Sequence, residues 1–524
     1  MSSEKISSIV ILGGGTAGWL TAFLLRKSLG TDVKITLIES KKNPIIGVGE
    51  ATVPTIRFSM KYLGFDEADW MPKCQASYKL GVKFDNWLNK GHSYYHPFHH
   101  NKQFSSLTNP FYKLPDLPGN FDLLQYFASI PLADRDSDFA RFSSVIPDLC
   151  DHLKSPRFVD RSTKTASYAY HFDTHLLNKY FYDNSAERNI QYIEDSLQKV
   201  NLNDSGFISS LTFDSGQTIH GELFIDCSGF KSLLIEGAMK EPFISGKKYL
   251  LCDTAIAMQL PYEDKTNELQ PYTSAIAQSA GWIWKTPLQH RIGTGYVYAS
   301  DFISEDRAVD ELFSQYPGRT DGFSPRSIKM KVGRYQRTWV KNCVALGLAG
   351  SFIEPLESTS IGLTEYQIHS LIQLFPDKSF PQHLQDRFNE KINYCYDQLR
   401  DFIVLHYCLT QRDDNNFWKT VSQKDMIPDS LKYFLKNLKS WIAHPKPEAD
   451  WAFFQRFNFG CILSGMGSLP HTPLPILNYL DNSEIRNQIE KLSLDKLKLT
   501  STLPTLADYL AQMRHTDIDL LSKF

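Results

Sequence analysis

The spacing of apolar and polar positions gives the chain two characters. In the first part, short apolar runs alternate with helix-spaced segments. Residues 9–12 form a continuous apolar run that ends at glycines, as expected of a strand buried on both faces. Trp19, Leu20, Phe23, Leu24 and Leu29 then recur at helical spacing, so residues 16–29 read as a helix. Residues 33–38 read as a second strand, ending at Glu39, and residues 206–213, 223–227 and 343–346 as further strands. Tyr78, Leu80, Val82 and Phe84 alternate with Lys79 and Lys83, which predicts a strand whose lysines face solvent. From about Pro381 the character changes. Leu384, Phe388, Ile392, Cys395, Leu399, Phe402, Ile403 and His406 keep helical spacing, and the remainder reads as helices and loops broken by prolines. The pattern predicts an α/β part over residues 1–378 and a largely helical part over 379–524.

The strand at 9–12 runs into Gly13-Gly14-Gly15-Thr16-Ala17-Gly18 at the predicted helix start, and Glu39 lies 21 residues after Gly18. This strand–glycine turn–helix–strand unit is a dinucleotide fingerprint. Gly13 serves the tight turn, Gly15 lets a pyrophosphate approach the backbone, and Gly18 lets the helix pack on the strand. The amides at Thr16 and Ala17 open the helix and suit an anion. Glu39 would accept from a ribose diol, which favours an unphosphorylated ribose such as that of FAD. The fingerprint does not recur later, so a second nucleotide domain is not expected.

The chain has 524 residues, is 42% hydrophobic and carries a net charge of −2, which gives no case for nucleic acid or a charged membrane surface. No apolar stretch approaches the roughly 18 residues of a spanning helix. Eight scattered cysteines without a C-x-x-C pair fit reduced thiols, a cytoplasmic location and no structural zinc. His171 and His175, in His171-Phe172-Asp173-Thr174-His175, would share a face if helical, but no metal site is expected there.

Trp282-Ile283-Trp284-Lys285-Thr286-Pro287 places two indoles on one face of a strand. Together with the N-terminal glycine loop, this W-x-W-x-x-P segment resembles the flavin-dependent halogenases, in particular the tryptophan halogenase family, with Thr286 where isoleucine is usual. The resemblance covers nearly the whole chain. It implies a flavoprotein-monooxygenase-like FAD-binding fold, and a strap across the flavin at Ile46-Gly47-Val48-Gly49-Glu50-Ala51-Thr52. It places Gly347, in Gly347-Leu348-Ala349-Gly350-Ser351, at the flavin, where hydroxylases carry a G-D acid that this chain lacks. It assigns the catalytic lysine to Lys79, and through Glu354-Pro355-Leu356-Glu357-Ser358-Thr359 the catalytic carboxylate to Glu357, with Ser358 beside it at the substrate. Ser358 or Thr359 can also cap the helix that follows, and the amides of Thr359 and Ser360 would hold a halide. Ser360 stands where glycine is common. His96 and Phe98 align with aromatics that sandwich the substrate ring. Trp282, Trp284 and Pro287 would separate arene from flavin.

The implied reaction is halogenation of an electron-rich arene, such as indole or a derivative, with reduced FAD, O₂ and chloride or bromide, by way of hypohalous acid. The implied partners are a separate flavin reductase and a small aromatic substrate, with a homodimer as a candidate assembly. A flavin-dependent aromatic hydroxylase and a non-catalytic flavin-binding protein are the alternatives. The Cys461-Ile462-Leu463-Ser464-Gly465-Met466-Gly467 run is retained, but the stretch before it lacks the paired tyrosines that close over the tryptophan backbone in the family, and its nearest acid is Asp450.

Overall fold

A computed structural model describes residues 4–42, 47, 49–98, 123–158, 166–443, 453–473, 475–479 and 482–521. The chain forms two compact units. Residues 1–76, 171–255 and 327–400 make the first, and residues 77–170, 256–326 and 401–524 the second. The chain therefore crosses between them after residues 76, 170, 255, 326 and 400, the last time within the helix Gln382–Cys408. The change of character near 376–381 falls in the connection between Ser360–Gln373 and that helix.

The first unit is built on a sheet with strand order Trp339–Val340, Cys343–Ala345, Leu223–Asp226, Ser8–Leu12, Lys34–Glu39 and Ile190–Glu194. Ser8–Leu12 is paired in parallel on both sides, and Ile9, Val10, Ile11 and Leu12 are buried, so the run carries no alternation. The helix Thr16–Leu29 follows the glycines, and residues on most of its faces are buried. Trp19 stacks on Tyr192 at 5.8 Å and Phe23 meets Phe181 at 5.2 Å. The Asp226 carboxylate is wholly buried and accepts from Ser228 N and Oγ and from the amides of Leu234 and Ile235. It ties the end of its own strand to the turn beyond.

In the second unit, Ile292–Tyr298, Gly281–Pro287, Thr273–Ala277, Gly81–Asp85 and Ser93–Pro97 lie side by side in that order. The pairs are antiparallel except Thr273–Ala277 with Gly81–Asp85, which is parallel. Among the described residues, no helix is long and apolar enough to cross a membrane, and none of the eight cysteines forms a disulfide.

Candidate functional site

In the first unit, the glycine loop is shaped by steric demand. A Cβ on Gly13 would lie 2.1 Å from the Cys227 carbonyl oxygen, and one on Gly18 would lie 1.9 Å from that of Gly13. A Cβ on Gly15 would meet nothing within 4 Å. Gly15 thus faces open space at the mouth of the helix. Its side makes no capping hydrogen bond, which leaves the first-turn amides at Thr16 and Ala17 for an anion. Thr16 Oγ1 donates to Asn178 Oδ1 at 3.3 Å. Glu39 ends its strand and accepts from the Tyr192 hydroxyl at 3.0 Å. Burial pushes its carboxyl up, opposed by that hydrogen bond. This arrangement fits a dinucleotide: an open backbone cradle for phosphate and an acceptor at the neighbouring strand end.

Glu50–Ala51 forms a short strand paired with His171 and Phe172. Gly49 and Gly47 have φ of +86° and +57°. Gly47 lies against His175, where a Cβ would come 2.1 Å from Nε2. Burial pushes the Glu50 carboxyl up to about 7. Ile46 and Val48 fall outside the described residues. The two histidines do not share a helix face. His171 is on the strand Ala169–Phe172, the helix starts at Thr174, and Asp173 between them caps it by accepting from the amides of His175 and Leu176.

Gly347 adopts φ +62°, and a Cβ there would approach Ala17 Cβ to 2.8 Å, so the glycine lets this turn sit against the nucleotide helix. Its amide donates to Gln367 Oε1 at 2.8 Å. Between the turn and the helix Ser360–Gln373 lies a small pocket, lined by Gly347, Ser351, Thr359, Ser360, Thr364 and Gln367 among others. Glu357 is buried in the preceding turn, and Ser358 is held at φ +59°, a region that non-glycine side chains rarely adopt. The expected side-chain cap does not form. With Ser358 left-handed, Thr359 already has φ −89° and ψ −9°, not the extended dihedrals a capping side chain needs, and it makes no capping bond. The helix start at Thr359 and Ser360 thus lines this pocket without a side-chain cap, the electrostatic setting for an anion. Thr364 and Gln367 were not singled out from sequence. Their signal is a polar stripe, Ser360, Thr364 and Gln367, at i, i+4 and i+7 on an apolar helix.

In the second unit, Lys79 ends the strand Ser77–Lys79 and is wholly buried, not solvated. Its Nζ lies 5.1 Å from the centre of the Phe98 ring, within cation–π range. The lysine is held in place by Ser77 Oγ donating to the Pro287 carbonyl at 2.6 Å and by Leu80 N donating to Pro271 O at 2.7 Å. Pro287 of the double-tryptophan segment is thereby fixed to the lysine strand. Lys83 is different: its side chain is partly exposed and lies 3.8 Å from Asp85. Trp282 and Trp284 are buried on Gly281–Pro287. The Trp284 ring lies over Gly295 of the next strand, where a Cβ would come 2.1 Å from its edge. His96 is buried against Phe402 and Phe454, at 5.6 and 5.8 Å between ring centres, and meets Asn458 Nδ2 at 2.9 Å through Nε2. Phe402 and Phe454 stack on each other at 3.8 Å. Phe402 and Asn458 carried no sequence signal beyond helical spacing.

A sequence profile described as tryptophan halogenase matches residues 8–482. The chain belongs to the tryptophan halogenase family. The halogenase is 36% identical to tryptophan 7-halogenase KtzQ of Kutzneria sp. (strain 744), over 98% of this chain and 99% of the relative. It is 37% identical to tryptophan 6-halogenase ThaL of Streptomyces albogriseolus, over 97% and 99%. Among solved structures it resembles Tar14, a tryptophan C-6 flavin-dependent halogenase (chlorinase) from taromycin biosynthesis, with a TM-score of 0.87 and 36% identity over 97% of this chain and 100% of that one. It also resembles BrvH, a flavin-dependent halogenase from Brevundimonas sp. BAL3, with a TM-score of 0.85 and 33% identity over 97% and 99%. The halogenase is an enzyme that uses reduced FAD, O₂ and halide to halogenate an electron-rich aromatic, with reduced flavin supplied separately. Bound FAD supplies the oxidation of halide by O₂. The family membership sets aside the hydroxylase and non-catalytic readings.

Proposed function

We propose that this halogenase acts on indole or a substituted indole rather than on free tryptophan, with Lys79 and Glu357 as catalytic residues. The observation that carries the substrate reading is the wall His96–Phe402–Phe454, which offers aromatic faces to an uncharged ring. A tryptophan zwitterion needs charged or hydrogen-bonding partners, and leaving its groups unpaired when buried costs several kcal/mol. The segment from Phe453 to Gly460 contains no tyrosine and no acid.

The roles of the chain's own residues follow from their surroundings. Gly13, Gly15, Thr16, Ala17, Gly18 and Glu39 hold the dinucleotide, and Gly49, Glu50, Ala51 and Gly347 hold the flavin end. The amides of Thr359 and Ser360 bind chloride or bromide. A dry pocket raises the strength of any hydrogen bond from the Lys79 ammonium, so Lys79 directs the electrophilic halogen to the arene. Glu357 polarises the same halogen source or accepts the ring proton. His96, Phe98 and Ser358 position the ring. Trp282, Trp284 and Pro287 form the apolar barrier that suppresses direct hydroxylation. Residues 379–524 complete the substrate side, and the enzyme works in the cytoplasm with a separate reductase.

The test is incubation of the purified protein with reduced FAD, O₂ and an arene panel in mixed chloride and bromide, read by mass spectrometry. Halogenated indole as the principal product supports the reading. Halogenated tryptophan as the principal product, or hydroxylated product without halide dependence, refutes it.

A further inference from the structure

The tautomer of His96 is fixed by a helix cap. The helix Arg456–Gly465 starts with a reciprocal box: the Gln455 side chain accepts from the backbone at Asn458, and Asn458 Oδ1 accepts from the Gln455 amide at 2.8 Å. That second bond settles which way the Asn458 amide points. A backbone N–H can only donate, so the atom facing it is the oxygen. The other end of the amide, Nδ2, then faces His96 Nε2 at 2.9 Å. An NH₂ group can only donate, so Nε2 has to be the acceptor. Nε2 then presents its lone pair to Asn458, which leaves Nδ1 as the ring nitrogen that carries the proton.

We propose that Asn458 is a positioning residue for the arene: it holds His96 in the Nδ1–H tautomer and at a fixed angle to the aromatic wall. His96 is tilted 47° to Phe402 and 51° to Phe454, and rotation of the imidazole out of the Asn458 bond would change both contacts. The ring kept this way turns its Nε2 lone pair toward Asn458, which suits an uncharged aromatic ring beside it. The inference rests on the reading of His96 as part of the arene site, but its first test does not need activity.

The decisive variant is Asn458→Asp. Aspartate keeps an oxygen for the Gln455 amide, so the cap survives, but it has no donor for His96. Nε2 should then gain a proton to pair with the carboxylate. The full-length protein, labelled with ¹⁵N-histidine, is compared with Asn458→Asp, and the His96 signals are assigned by their loss in His96→Gln. The wild type should show an unprotonated Nε2, and the variant a protonated one. In steady-state kinetics with indole, Asn458→Asp should raise KM about tenfold while kcat stays within about threefold and FAD binding is unchanged. Asn458→Ala removes both cap and donor and serves as the structural control. If Asn458→Ala raises KM and Asn458→Asp does not, the cap alone matters and the proposal is wrong. A wild-type His96 that carries its proton on Nε2 overturns it whatever the substrate. A confirmed tautomer with no turnover of indole would instead count against the substrate reading.

Discussion

Glu365→Gln should stabilise the protein increasingly as pH rises from acid to alkaline. Glu365 sits in the helix Ser360–Gln373 and is 2% exposed. Its Oε2 accepts from Thr55 Oγ1 at 2.5 Å, and Ser59 also bonds the carboxyl. Burial nonetheless pushes it from 4.5 up to about 7, against the two hydroxyls. In the folded protein the acid stays protonated up to about 7, whereas the unfolded chain gives up its proton near 4.5. Between those values the folded state binds more protons, so this group costs stability as pH rises. At 1.36 kcal/mol per pH unit the full cost is about 3 kcal/mol, of which about 2 falls between pH 5.5 and pH 8. Glutamine keeps an acceptor for Thr55 but cannot ionise. The assay is calorimetric or fluorescence melting of both proteins at pH 5.5 and 8. The midpoint of the variant minus that of the wild type should grow by about 2 °C if the whole chain unfolds together, and by about twice that if a unit of half the size unfolds alone. An equal difference at the two pH values would refute the reasoning, because the acid would then titrate alike in the folded and unfolded states.

Lys79→Ala should abolish halogenation while FAD binding and release of hydrogen peroxide persist; halogenation at the wild-type rate would remove Lys79 from the mechanism. Glu357→Gln should slow the chemical step by roughly two orders of magnitude or more, measured in single turnover. Protein mixed with FAD and NADH alone should give little product until a flavin reductase is added, and rapid NADH-dependent flavin reduction by this chain would contradict that. Indole should have a higher kcat/KM than tryptophan, and a tenfold advantage for tryptophan, about 1.4 kcal/mol, would reverse the substrate reading.

Legibility from sequence tracked how local each demand was. The nucleotide turn could be read because Gly13 and Gly18 answer clashes with the backbone of their own loop and of the strand end at Cys227, and the helix Thr16–Leu29 has the predicted bounds. Lys79 was harder. Alternation assigns its face to solvent, but partners remote from the strand pattern, such as Phe98, cover it. Asn458 meets His96 across 362 residues of sequence, a contact no spacing rule reports. The missing cap at Thr359 came from the left-handed Ser358, a backbone state its residue type does not announce. The interleaving of the two units leaves no mark in composition, since every crossing occurs inside ordinary structured sequence.

The seating of Trp284 on Gly295 makes the double-tryptophan segment half of a two-strand unit. The ring occupies the space that any side chain at Gly295 would need, and the two positions are direct cross-strand neighbours. Substitutions there should be strongly non-additive. Gly295→Ala forces the indole to move and also sets the new Cβ 2.2 Å from the Ile256 carbonyl oxygen, so a smaller residue at 284 relieves only part of the clash. Variants of Trp284 alone would open a space bounded on its far side by Gly295, a position that the Ile256 carbonyl keeps glycine. Libraries should vary 284 and leave 295 as glycine.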